Sequence, residues 1–138
     1  MRLSRRFFLP LVLALTGLAM FAGAVVSATG AGRTVEVGIK YSRFEPEHFR
    51  FEAGQVVTFV ISNSDPIDHE FIVGDQSVQD RHETGTEPYH EAIPTEVTVP
   101  AGETATTTIK FGEPGRLLVG CHLPGHYAYG MKGTITVR

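Results

Sequence analysis

The sequence predicts an all-β domain, an antiparallel sandwich or small barrel of about eight strands. Three observations carry this. Short alternating or β-branched runs recur behind an apolar N-terminal segment, turn residues separate them, and no apolar pattern of helical period persists over a dozen residues. At 138 residues the chain has room for one such domain and no second.

The runs come in a clear order. "TVEVGIKY" (34–41) alternates, "HFRFEAG" (48–54) closes on a glycine turn, and "QVVTFVISN" (55–63) is the longest β-branched stretch. "HEFIV" (69–73) follows the turn-rich "NSDPID", and "TEVTVPAG" (95–102) alternates before turning at Pro-Ala-Gly. "TATTTIKF" (104–111) comes next, "EPG" leads into "RLLVG" (116–120), and "GTITVR" (133–138) closes the chain. Residues 74–94 fit no strand: they are polar, carry His82 and His90, and leave room for one short helical turn in a long connection. Both histidines read there as solvated.

The first residues, "MRLSRRFFLPLVLALTGLAMFAGAVVSATG", begin with three arginines, run through an apolar stretch and end in small residues, the pattern of an export signal. A small-x-small cleavage site fits best after Ala28. The division is therefore a signal over 1–28, a linker over 29–34 and the folded domain over 35–138. "SRRFFLP" matches a twin-arginine signal, a route that exports folded proteins with their cofactor in place. An ordinary secretory signal and an uncleaved membrane anchor are the alternatives. A lipid anchor through cysteine is excluded, because no cysteine lies near the segment. The expected location is the periplasm or the outer face of the cytoplasmic membrane. Without the signal, nine Lys and Arg stand against fifteen Asp and Glu, so the domain repels nucleic acid.

Cys121, the only cysteine, cannot form an internal disulfide, so it is buried and inert, paired between chains, or chemically used. Its surroundings point to use. In "GCHLPGHYAYGMKG" (120–133), Cys121, His126 and Met131 stand at equal five-residue steps between two strand candidates. Copper that cycles between two oxidation states suits a soft thiolate, two imidazoles and a weak axial thioether. The loop offers one thiolate, one imidazole and the thioether. His69, at the entrance of its strand and able to lie at the same end of a sandwich, is the natural second imidazole.

With these residues in place, the chain resembles the cupredoxins, the type 1 (blue) copper proteins of plastocyanin and azurin kind. "YSRFEPEHFRFEAGQVVTFVISNSDPIDHEFIV" is similar to the first half of that fold and "PGRLLVGCHLPGHYAYGMKGTITV" to its ligand loop and last strand. The resemblance implies an eight-stranded Greek-key sandwich, one type 1 copper per chain and one-electron transfer. It makes His69, Cys121 and His126 the equatorial ligands and Met131 the axial one. Many members carry Asn beside the first histidine to brace the cysteine loop; here Glu70 follows His69, which puts that brace in doubt.

His122 is nearer to the thiol in sequence than His126. Adjacent side chains of an extended segment point to opposite sides, so a Cys121 aimed at the metal turns His122 away from it. "LPG" brings the chain back for His126. His122 is then a hydrogen-bonded surface or interface histidine, or a ligand of a second metal with His82 and His90. His48, near a strand start, is expected to pack or hydrogen-bond. "CHLPGHYAYGM" also resembles the end of multicopper oxidases, but Gly120 replaces one flanking histidine and His-x-His pairs are missing.

The expected function is a one-electron carrier rather than an enzyme. Redox partner proteins would dock briefly at the His126 end, on a rim of Leu123, Pro124, Tyr127, Ala128 and Tyr129. The alternative is a copper-binding module for tolerance, storage or delivery that uses the extra histidines. Enzyme chemistry would need a second copper at a subunit interface, and hence an oligomer.

Overall fold

The computed structural model describes residues 32–85 and 93–138; the expected signal, the first half of the linker and His90 lie outside the described residues. Among the described residues nine strands and one helix follow in the order β1 (Arg33–Ile39), β2 (Phe44–Glu45), β3 (His48–Phe51), β4 (Val56–Asn63), β5 (His69–Gly74), α1 (Gln76–Thr84), β6 (Glu96–Val99), β7 (Thr104–Lys110), β8 (Gly115–Gly120) and β9 (Lys132–Val137). The eight expected strands are all present. The ninth, β2, is only two residues long and gives no periodic signal of its own.

The strands form two sheets, β2-β1-β4-β7 and β3-β9-β8-β5-β6. They are mixed, not purely antiparallel. β1 runs parallel to β4, from Arg33 beside Val57 to Ile39 beside Asn63, and β3 runs parallel to β9. The cause is the order of crossing: β1 and β4 pair in one sheet while β3 between them pairs in the other, so neither parallel pair needs a helical crossover.

Alternation builds the core between the sheets. Along β4 every second residue faces inward, so Val57, Phe59 and Ile61 are all fully buried. Phe59 is the hub of an aromatic cluster, with ring centres 5.2 Å from Phe71, 5.8 Å from Phe49 and Phe51, and 6.3 Å from Phe111. Cys121 and Met131 belong to the same buried cluster.

The expected single turn in 74–94 is a nine-residue helix. Asp75 caps it, its Oδ1 accepting from the Val78 N–H at 3.0 Å. α1 covers the outer face of the second sheet, over β5 and β8. Two glycines permit the close approach: a Cβ on Gly74 would meet the Val78 side chain at 2.5 Å, and one on Gly120 would meet Gln79 at 2.5 Å and the Tyr127 ring at 2.7 Å. With the core on one side and the helix on the other, β5 is buried from His69 through Val73.

Candidate metal centre

Asn63, the last inward position of β4, begins the assembly. Its Oδ1 accepts from the Asp65 N–H at 3.0 Å, an Asx turn, and its Nδ2 donates to the carbonyls of Ile67, Val99 and Pro100 at 2.8, 3.1 and 3.1 Å. This fixes the turn that leads into β5. Asp65 then takes three donors: the Tyr41 N–H at 2.7 Å, the Ser42 N–H at 2.8 Å and Nε2 of His69 at 2.9 Å. Tyr41 and Ser42 form the β1–β2 turn with φ of 54° and 52°, a left-handed pair usually filled by Asn-Gly. The Asp65 carboxylate supplies the support that the sequence of that turn does not.

With Nε2 given to Asp65, His69 presents Nδ1. The Cys121 Sγ lies 3.9 Å from it and 3.2 Å from Nδ1 of His126. The three donor atoms lie within 4.8 Å of one another, the one such group of His, Cys, Asp or Glu among the described residues. His69 and Cys121 are fully buried, and His126 is half-buried.

The loop from Cys121 to Met131 holds itself. His126 donates to the Leu123 carbonyl at 2.9 Å, Met131 to the His126 carbonyl at 2.9 Å and Cys121 to the Met131 carbonyl at 3.2 Å, so the two outer positions meet across the loop. Gly125, with φ of 86°, makes the return turn expected of "LPG". Met131 is fully buried beside this pairing.

The brace that the residue after His69 put in doubt is present in another form. The Glu70 N–H donates to the Cys121 Sγ at 3.3 Å, and its carboxylate accepts from the His122 N–H at 3.0 Å. A buried carboxylate does what an amide side chain could do.

The family model for the cupredoxin-like domain matches residues 11–137. The chain belongs to the cupredoxin-like family. It is 34% identical over 115 residues to the copper-resistant cuproprotein CopI of Rubrivivax gelatinosus, covering 80% of this chain and 70% of that protein. To CopI of Pseudomonas aeruginosa it is 28% identical over 148 residues, covering 84% and 82%. The solved structure of auracyanin B superposes with a TM-score of 0.67 at 27% identity, over 82% of this chain and 93% of that one.

The donor set of this cupredoxin-like domain, one thiol sulfur and two imidazole nitrogens around one point, with the buried Met131 joined to Cys121 through the backbone, fits copper. Without a metal, burial pushes the Cys121 thiol up to about 11, and the nearby Glu70 charge adds to it. Burial lowers His126, as does the adjacent His69. For Asp65, burial works upward but is outweighed by the Ser42 and Tyr41 N–H groups and by His69, which together hold its carboxyl below the usual range.

His122 and His82 are less exposed than the sequence suggested. The His122 side chain is 2% exposed under α1, its ring stacked on Tyr127 at 4.5 Å. Nδ1 lies 3.0 Å from Glu83 and Nε2 2.8 Å from Gln79. Burial lowers its pKa, with Glu83 opposing. His82, expected to be solvated, is 9% exposed and hydrogen-bonds to the Val78 carbonyl at 2.8 Å. His48 is exposed and paired with Thr134 at 3.0 Å. Asn63, Asp65 and Gln79 are the supporting residues that sequence reasoning missed. "NSD" before a strand carried a signal for the first two, the Asx turn.

Proposed function

We propose that this chain is an exported type 1 copper protein that carries one electron at a time, with His69, Cys121, His126 and Met131 as ligands. The observation that carries the reading is the convergence of two imidazole Nδ1 atoms on one buried cysteine sulfur. When bound, copper supplies the one-electron couple. The chain supplies rigidity: Asp65 fixes the His69 ring, Glu70 fixes the Cys121 loop, and burial keeps water from the sulfur. Little need move when the charge changes.

His126 is the half-buried ligand and gives electrons their way to the surface. Pro124, Ala128 and Tyr129 are exposed beside it, and they form the rim on which redox partners dock briefly. Tyr127 turns inward onto His122 and contributes little to that rim. The acidic surface steers basic partners. Export, with or without a retained N-terminal anchor, rests on the sequence of residues 1–28. Among the described residues no helix is long and apolar enough to cross a membrane.

A second reading, a module for copper tolerance, is favoured by the two CopI relatives. Loading with Cu(II) tests the first. An intense visible absorption that disappears in Cys121→Ser is expected, and colourless copper binding would sink it. Retention of the reduced metal against a Cu(I) chelator separates the two readings: a carrier keeps its ion in both states, whereas a delivery module surrenders it.

A further inference from the structure

We propose that Asp65 is a positioning residue that also sets the redox preference of the centre: its buried carboxylate, bound to the outer nitrogen of His69, favours the oxidised copper ion. The inference rests on the copper-carrier reading above and adds to it a residue that touches no metal.

The first ground is which atom the carboxylate meets. His69 Nε2 donates to Asp65 Oδ2 at 2.9 Å, while His69 Nδ1 faces the Cys121 sulfur at 3.9 Å. The anion therefore sits on the ring opposite the donor atom offered to the metal. The two side chains are 0% and 10% exposed, so little water screens the contact.

The second ground is that the charge is held and directed. The Tyr41 and Ser42 N–H groups donate to Oδ1 and Oδ2 at 2.7 and 2.8 Å, and hydrogen bonds of this kind favour the charged form of a carboxyl group. The Asp65 N–H is in turn tied to Asn63 Oδ1 at 3.0 Å. Among the described residues no lysine or arginine pairs with Asp65; its ion-pair partner is the His69 ring. No neighbouring cation cancels the charge before it reaches the imidazole.

The third ground is the asymmetry between the two rings. His126 points Nδ1 at the same sulfur, at 3.2 Å, but among the described residues no carboxylate bonds to its other nitrogen, and it is half-buried. One imidazole is thus backed by an anion inside the domain, and the other opens toward the surface. An N–H donated to a carboxylate makes the opposite ring nitrogen a stronger base. A doubly charged ion gains more than a singly charged one from that donor and from the nearby anion. Uptake of one electron, Cu(II) to Cu(I), is therefore made less favourable by Asp65.

Asp65→Asn tests this in the copper-loaded full chain. The amide oxygen can still accept from Ser42 and His69, so the variant keeps the ring in place and removes the charge; the bond to Tyr41 is the one lost. Redox titration followed by the visible band should show the ratio of Cu(I) to Cu(II) affinity rising at least fivefold, a potential about 41 mV higher at 59 mV per tenfold. A smaller rise, or a fall, overturns the proposal, because a purely structural role is preserved in the amide. Asp68→Asn is the control. Asp68 adjoins His69 in sequence but is exposed, its Oδ1 accepting from the Ala101 N–H at 2.9 Å. An equal rise there would report net charge and not this bond, and would also overturn the proposal. A measurement on the unaltered chain stands even if the variant does not fold. In the diamagnetic Cu(I) form, the Nε2 proton of His69 should resonate far downfield and exchange slowly with water, and a rapidly exchanging proton overturns the proposal. Failure of the carrier reading would show differently, as a missing visible band in the parent.

Discussion

Asp65→Ala tests how far the ligand end depends on one carboxylate. The substitution removes three hydrogen bonds of 2.7, 2.8 and 2.9 Å, to the N–H groups of Tyr41 and Ser42 and to His69. Each bond to a charged group contributes about 1.5–3 kcal/mol, and a donor left buried without a partner costs about 1–3 kcal/mol. His69 is fully buried, so its ring nitrogen bears that cost. Tyr41 is 81% exposed, so water can replace the carboxylate at the turn and the loss there falls at the low end. The left-handed pair also loses its support. At their low ends the two turn bonds and the buried ring together give about 4 kcal/mol, or roughly 16–32 °C in Tm for a domain of this size. The assay is thermal unfolding of the metal-free protein followed by circular dichroism at pH 7. A shift under about 4 °C would refute the reasoning. pH adds a second check. The folded carboxyl titrates below the ordinary aspartate value of 3.8, so its stabilisation is complete above that value and disappears as pH falls through the folded one. The gap between parent and variant should therefore narrow on acidification below about pH 3.8 and stay constant above pH 5.

Two further substitutions probe the brace and the core. Glu70→Ala leaves the His122 N–H without its 3.0 Å acceptor and should cost about 1–3 kcal/mol, whereas Glu70→Gln keeps an acceptor and should cost less. Amide exchange at His122 reads it directly, and equal protection in parent and Glu70→Ala would contradict the brace. Phe59→Ala empties the hub of four ring contacts and should cost about 3–5 kcal/mol in urea unfolding; a loss under about 1.5 kcal/mol would mean the cluster closes over the void.

The strands and the metal end were legible because each carries a pattern with a geometric meaning. The β-branched run "QVVTFVISN" and the run "TATTTIKF" after the Pro-Ala-Gly turn located β4 and β7 to within a residue, and "LPG" located the return turn that brings His126 to Cys121. The parallel pairings were not legible. Which sheet a strand joins depends on the order in which the chain crosses between layers, and nothing local in "TVEVGIKY" or "HFRFE" records a partner far along the chain. Asp65 was hidden for a related reason. Its three partners lie up to twenty-four residues away, and its own neighbourhood reads only as a turn. The Tyr41–Ser42 turn, which lacks the Asn or Gly of its type, is the complementary signal, an irregularity whose compensation lies elsewhere in the chain.

Strand geometry separated the two histidines as the structure does, with His126 and not His122 beside Cys121, and misjudged what lies behind His122. Cys121 faces the interior with His69 and His126, and His122 faces the opposite side of the sheet, as strand geometry requires. That side was expected to be surface. It is covered by α1, whose residues are too polar to signal an apolar face, because the helix does not cover β8 with apolar side chains alone. It covers it with Gln79, which is fully buried and binds His122, Ile72 and Leu118, and with Glu83 and His82 around the same ring. Hydrophobic periodicity cannot register a helix that docks through polar groups, since it assumes that what faces inward is apolar. Such a buried polar layer holds only if each group finds a partner. In this domain that layer lies one residue from Cys121, so the partners of His122 also fix the backbone that carries the thiol.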